Sequence, residues 1–180
     1  MLEVDLIEKC KSNNRKAQLQ LYDMYCQGMY CVAMRYLKNT DDAQDAMQEA
    51  FIKAFQKLDQ FKAEVTFGAW LKRIVINKCI DFLKAKQMNI LSLEESYMHV
   101  EEDENWQVED VITKAEIVSA IEKLPDKYRF VVMLYLIEGY DHEEISGILN
   151  INNTTSRTHL LRGKQKLQSL LKHKVDGTGY

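Results

Sequence analysis

The sequence predicts an all-α protein of two small helical domains joined by an acidic linker, the C-terminal one a helix-turn-helix. Three observations carry this. Seven glycines and a single proline, Pro125, in 180 residues leave little material for hairpin turns. Apolar residues recur at helical spacing along runs free of both. Charge is also segregated: residues 87–113 hold eight acids (Glu94, Glu95, Glu101, Glu102, Asp103, Glu104, Glu109 and Asp110) and no Lys or Arg. The remainder therefore carries 24 basic against 19 acidic residues, although the net charge is −3. The expected division is a first domain over 1–87, an acidic linker over 88–112, a second domain over 113–175 and a tail over 176–180.

Composition excludes several classes. An apolar share of 46% is that of a globular chain. The longest purely apolar stretch, residues 130–137, falls well short of the roughly 20 residues a membrane span needs. The N-terminus is acidic and lacks the basic and apolar regions of a signal peptide, so a cytoplasmic protein without membrane insertion is expected. Cys10, Cys26, Cys31 and Cys79 show no Cys-x-x-Cys spacing, and His99, His142, His159 and His173 stand at no metal-ligand interval to them. They read as reduced structural thiols, with no metal and no cofactor. An enzyme is not expected either: His142-Glu143-Glu144 lacks the second histidine of a zinc protease, and Asp42, Asp45 and Glu49 lack the Glu-x-x-His of a di-iron bundle.

In the first domain the clearest helix covers residues 41–58, entered through Asn39 and Thr40, both good N-cap types. Met47, Ala50, Phe51, Ala54, Phe55 and Leu58 form its inner face. Its opposite side carries Asp42, Asp45, Gln48 and Glu49, acids near the helix N-terminus, where the dipole favours them. Residues 61–86 follow as a basic-aromatic run on one helix. There Phe67, Leu71, Ile74 and Val75 group on one side, and Trp70, Arg73, Asn77 and Lys84 form an adjacent stripe. An aromatic ring offers a stacking face to an unpaired base while Lys and Arg follow phosphates, which is how single strands are gripped. Trp70 as plain core, with Arg73 and Lys84 solvated, is the competing reading of that stripe.

The second domain begins with a helix ending near Lys123 or Leu124. Pro125 opens another that stops at Gly139. Asp141-His-Glu-Glu144 is a variant capping box starting a short helix to about Leu149. Asn150, Ile151 and Asn152 make a turn, and Asn152 or Asn153 caps a last long helix. No acid occurs between Ile145 and Val175, whereas Arg157, Arg162, Lys164, Lys166, Lys172 and Lys174 all do. Leu160, Gly163, Leu167 and Leu171 form its inner face. Thr154, Thr158, Leu161, Arg162 and Gln165 point outward, with Arg157 on the flank. Such a helix suits major-groove reading, with Arg on guanine or phosphate and a small apolar group on a thymine methyl.

With both domains described, the chain resembles a bacterial RNA polymerase sigma factor of the extracytoplasmic-function (ECF) class over most of its length, from about Leu21 to Leu171. Residues 42–51, Asp-Ala-Gln-Asp-Ala-Met-Gln-Glu-Ala-Phe, resemble the segment that docks on the clamp helices of the polymerase's largest subunit. The run Phe67-x-x-Trp70-Leu71-x-Arg73-Ile74-x-x-Asn77-x-x-x-Asp81 resembles the segment that opens and reads the minus-ten promoter element. Leu124-Pro125, Glu144-Ile145, Thr155 and Arg162 resemble the minus-thirty-five reader. The chain departs from the family at Thr154-Thr155-Ser156, where Gly-Thr-Val is frequent. His159 and Gly163 stand where Arg and Ala are frequent, and Lys84 replaces a frequent Arg, keeping charge but losing the bidentate fork.

The resemblance implies a sigma factor that binds core RNA polymerase and directs promoter recognition, strand opening and initiation. Core polymerase binding would fall to Asp42, Asp45, Gln48 and Glu49. Minus-ten binding would fall to Phe61, Lys62, Phe67, Trp70, Arg73, Asn77 and Lys84, with the loop over 62–66 helping to hold a flipped base. Minus-thirty-five binding would fall to Thr154, Arg157, Thr158, Leu161, Arg162 and Lys164. Expected partners are core polymerase, promoter DNA and an anti-sigma factor, often membrane-tethered. The linker, about 90 Å when extended, would thread the basic channels of the polymerase. The alternative is a free-standing helix-turn-helix regulator whose first domain senses a ligand or partner; it would bind duplex DNA without polymerase.

Overall fold

The computed structural model describes residues 3–86 and 112–175, with side chains to Leu171, and every regular element among them is helical. Residues 88–111 of the expected linker and the tail lie outside the described residues. The chain divides into two compact units.

The first unit comprises α1 (Glu3–Lys11), α2 (Arg15–Leu37), α3 (Thr40–Gln56), a 3-10 turn (Leu58–Gln60) and α4 (Phe67–Lys86). Local chemistry sets these boundaries. The Asn14 side chain accepts from the amides of Lys16 and Ala17, capping α2. Lys38, at φ 56°, closes the same helix in the left-handed region. Asn39 then accepts from the Asp42 amide at 3.0 Å, so α3 begins one residue before the expected start. At its other end α3 stops at Gln56, and the 3-10 turn rather than a further helical turn carries Leu58 into the core. Thr66 starts α4, accepting from the Ala69 amide at 3.3 Å.

Helices α2, α3 and α4 pack against one another, and α1 lies on α2. Leu21, Ala33, Tyr36, Ala43, Ala50, Phe51, Phe67, Leu71, Val75, Ile76 and Cys79 are buried among them. Full burial of each large apolar side chain contributes about 1.5–3 kcal/mol. The inner face of α4 differs from the expected one: Ile74 is only half-buried, and Ile76, Cys79 and Ile80 are buried instead. Because α4 is covered by two helices, its apolar sector is wider than a single stripe.

The second unit comprises α5 (Lys114–Glu122), α6 (Asp126–Val132), a π-helical turn (Met133–Ile137), α7 (His142–Leu149) and α8 (Asn153–Val175). Thr113 and Glu116 form a capping box on α5, and Asp141 and Glu144 form the expected one on α7. Pro125 sits at the cap of α6 rather than inside it. The single helix expected from Pro125 to Gly139 is instead interrupted by the π turn, closed by the Glu138 amide on the Met133 carbonyl at 3.1 Å. Gly139 follows at φ 77°. Helix α8 packs on α5, α6 and α7.

Cys10 and Cys79 are core residues, and burial pushes the Cys79 thiol up to about 12. Cys31, in contrast, is exposed, so the structural reading fails for it.

Candidate nucleic-acid interface

Helix α3 separates its two faces cleanly. Ala43, Ala46, Met47, Ala50 and Phe51 are buried, whereas Asp45, Gln48 and Glu49 are exposed and Asp42 is half-buried. The acids at both ends of this row are engaged. Lys86 Nζ donates to Asp42 Oδ2 at 2.7 Å, and Lys78 Nζ donates to Glu49 Oε2 at 2.7 Å.

At the start of α4, Phe61, Phe67 and Trp70 form an aromatic triad with centroid separations of 5.6, 5.4 and 5.7 Å. Phe61 is 8% and Phe67 2% exposed, and the Phe67 ring also meets Tyr25 edge-on. Phe61 and Phe67 both belong to the expected strand-binding set. Their rings are buried, filling the corner where the loop joins α4. Trp70 is half-buried and leans on both. Arg73 is exposed, Asn77 and Lys84 are half-buried, and all three share the stripe the spacing predicts. The loop over 62–66 is exposed throughout and turns at Ala63, whose φ of 57° is unusual for a residue with a side chain.

In the second unit the turn between α7 and α8 is built as read. Asn150 closes α7 at φ 57°, and Asn152 caps α8 by accepting from the Thr155 amide at 2.6 Å. Thr154 and Arg157 are exposed; Thr158, Leu161, Arg162 and Lys164 are half-buried. Arg157 Nε donates to Asn153 Oδ1 at 2.9 Å, and the Thr158 hydroxyl donates to the Thr154 carbonyl at 3.0 Å. The first two turns thus hold their own polar groups in place. Lys164 leans toward the π turn, its ammonium 5.9 Å from the Tyr135 ring centroid.

Two α8 residues were missed as inward-facing: Ser156 is 0% and His159 4% exposed. Ser156 continues the Leu160, Gly163, Leu167 row one turn earlier, a signal masked by its polarity. His159 meets the Tyr128 ring edge-on at 5.5 Å, and burial, then the Lys127 charge, lowers its pKa. Its Nδ1 has no partner among the described residues. The departure from Arg at this position therefore falls on the core. His142 stacks on Tyr135 at 4.9 Å and pairs through Nδ1 with Ser156 Oγ at 2.8 Å. Burial and the charges of Arg157 and Lys164 lower its pKa against the opposing pull of Asp141. No spacing in the sequence brings Tyr135 and His142 to α8; the packing of α7 does.

Two helical units, the first carrying an acid-faced helix beside a basic-aromatic one and the second a helix-turn-helix, define a promoter-recognition protein by class. Comparison with known families agrees: Sigma-70 region 2 matches residues 21–88, and Sigma-70, region 4 matches residues 114–167. The ECF RNA polymerase sigma factor SigW of Bacillus subtilis is 33% identical over 178 residues, covering 92% of this chain and 95% of its own. The ECF RNA polymerase sigma-E factor of Escherichia coli is 28% identical, with 91% of each chain covered. Among solved structures, CnrH in complex with the cytosolic domain of CnrY superimposes with a TM-score of 0.52 at 24% identity, covering 93% of this chain and 96% of that one. The sigma factor RpoE of Bartonella quintana, in complex with the anti-sigma factor NepR, gives 0.53 at 21%, covering 85% and 95%. These two share the fold. The chain belongs to the ECF RNA polymerase sigma factors, the non-catalytic subunits that direct transcription initiation. The free-standing regulator is set aside, since both halves match sigma regions in order.

Proposed function

We propose that this chain docks on core RNA polymerase through Asp42, Asp45, Gln48 and Glu49 of α3. In that complex α4 engages the unpaired minus-ten strand, and the first turns of α8 read the minus-thirty-five duplex. The observation that carries this reading is the separation of faces on α3, where exposed Asp45, Gln48 and Glu49 lie opposite a continuous buried row. An acidic row on a rigid helix suits a basic helical partner.

On α4, Trp70, Arg73, Asn77 and Lys84 would contact the strand directly. Phe61 and Phe67 would act by holding Trp70, and Lys62 would contribute from the exposed loop. On α8, Thr154, Arg157, Thr158, Leu161 and Arg162 would face the bases and Lys164 the phosphates. An anti-sigma protein is the expected antagonist, by analogy with the Bartonella quintana relative crystallised with NepR. Action in the cytoplasm is expected, and no helix among the described residues is long and apolar enough to cross a membrane.

Reversing charge at Asp45 with Asp45→Lys tests the docking surface. Loss of core polymerase in a pull-down, with native circular dichroism, is expected. Unchanged retention of core would remove α3 from the interface.

A further inference from the structure

We propose that Lys78 and Lys86 of α4 form an electrostatic latch that screens the polymerase-facing acids of α3 in the free protein and exchanges partners when polymerase docks. The inference deepens the docking reading above and rests on it.

The geometry is a two-rung ladder between antiparallel helices. Lys86 pairs with Asp42 and Lys78 with Glu49, both at 2.7 Å, across sequence separations of 44 and 29 residues. Seven residues up α3 match eight down α4, so the rungs stand about 10 Å apart along the helices. Between them Asp45 and Gln48 are exposed, and no ion pair reaches Asp45 among the described residues. Half of the proposed docking row is therefore already neutralised from within the same unit.

The exposure of the rungs makes them exchangeable. One partner of each pair is well exposed, Glu49 at 62% and Lys86 at 61%, while Lys78 at 27% and Asp42 at 20% are half-buried, so each pair is partly screened by water and weak. A basic partner presenting fixed cations can take over the carboxylates at little cost. The released ammoniums then add cationic charge to the helix that carries Arg73, Asn77 and Lys84, on the side turned toward α3 rather than on that stripe. Docking on polymerase and gripping a single strand are thereby coupled through the positive field of the freed lysines rather than through a shared face.

The double variant Lys78→Met, Lys86→Met tests the latch through its affinity for core polymerase, with circular dichroism as the check on folding. Unscreened acids are expected to bind core about two- to tenfold more tightly, while Lys78→Arg, Lys86→Arg stays at the wild-type value. Unchanged binding overturns the latch, and weaker binding does so too, since the lysines would then be holding the acids in position for polymerase. In the free protein, Asp42→Asn with Glu49→Gln should tighten binding of a single-stranded oligonucleotide and steepen its salt dependence. An unaltered salt slope counts against release of the lysines. Asp45→Lys touches neither rung, so its failure to disturb core binding sinks the docking reading itself, whereas its success with an inert Lys78→Met, Lys86→Met pair sinks only the latch.

Discussion

Gly163 of α8 lies so close to Val132 of α6 that a Cβ placed on it would stand 2.5 Å from Val132 Cγ2. Real carbon atoms do not approach that closely, and Val132 is itself fully buried and stiff about its single side-chain torsion. The missing methyl lets the basic helix sit down on α6. In an exposed helix interior Gly163→Ala would gain about 1 kcal/mol from propensity. Here overpacking should turn that into a net loss of about 1–3 kcal/mol. Denaturant unfolding measures it, and adding Val132→Ala should restore much of the loss. A stabilised single variant would mean that the two helices separate at no cost.

His159 should make the second unit sensitive to acid. Burial, then the Lys127 charge, holds its folded pKa below the ordinary value, whereas in the unfolded chain it titrates near 6.5. As pH falls through about 6.5 the unfolded state takes up a proton that the folded state refuses, so stability declines with acid. His142 contributes with the same sign. Hydrogen-exchange protection of α6 and α8 amides should fall between about pH 7 and pH 5.5, and His142→Gln should flatten part of the slope. Protection constant across that window would contradict the assignment.

Asn77→Ala should slow strand opening more than it weakens the closed complex, because the side chain lies on the stripe proposed to meet unpaired bases. Trp70→Ala should remove about 1–3 kcal/mol of strand binding if its remaining face stacks on a base. Permanganate footprints on a promoter report both. Equal reactivity for variant and wild type would return these residues to a structural role.

Arg162 and Lys164 should separate in kind. If Arg162 reads a base, Arg162→Ala costs about 1–3 kcal/mol on the preferred promoter and relaxes preference at one position. Lys164→Ala should weaken all sequences alike and flatten the salt dependence. A panel of promoter variants with holoenzyme at two salt concentrations distinguishes the two. Uniform loss for Arg162→Ala would place it among the phosphate contacts.

Asp141→Ala removes the side chain that accepts from the Glu143 and Glu144 amides at 2.8 Å. A loss of about 1 kcal/mol is expected for such a cap. It should weaken duplex binding by the second unit while leaving affinity for core polymerase unaltered. Loss of core binding would tie the cap to a wider role.

Much of this protein follows from local sequence, because helices and caps are short-range objects. Asn39, Asp141 and Asn152 act within three residues of themselves, so the starts of α3, α7 and α8 were legible, as was the acid row on α3 set against its alanines. Other features required the packed chain. A period of 3.6 residues says that Phe61 and Phe67 are aromatic and near Trp70, but packing by Tyr25 and the loop corner decides that both are buried while Trp70 stays half-buried. It places Lys78 and Lys86 on α4 without saying that they reach Glu49 and Asp42, since that depends on the register of two antiparallel helices. Ser156 and His159 look like surface residues until α6 and α7 close over them. Helical spacing orders side chains around one axis; which sector is covered, and by what, is settled only when the helices meet.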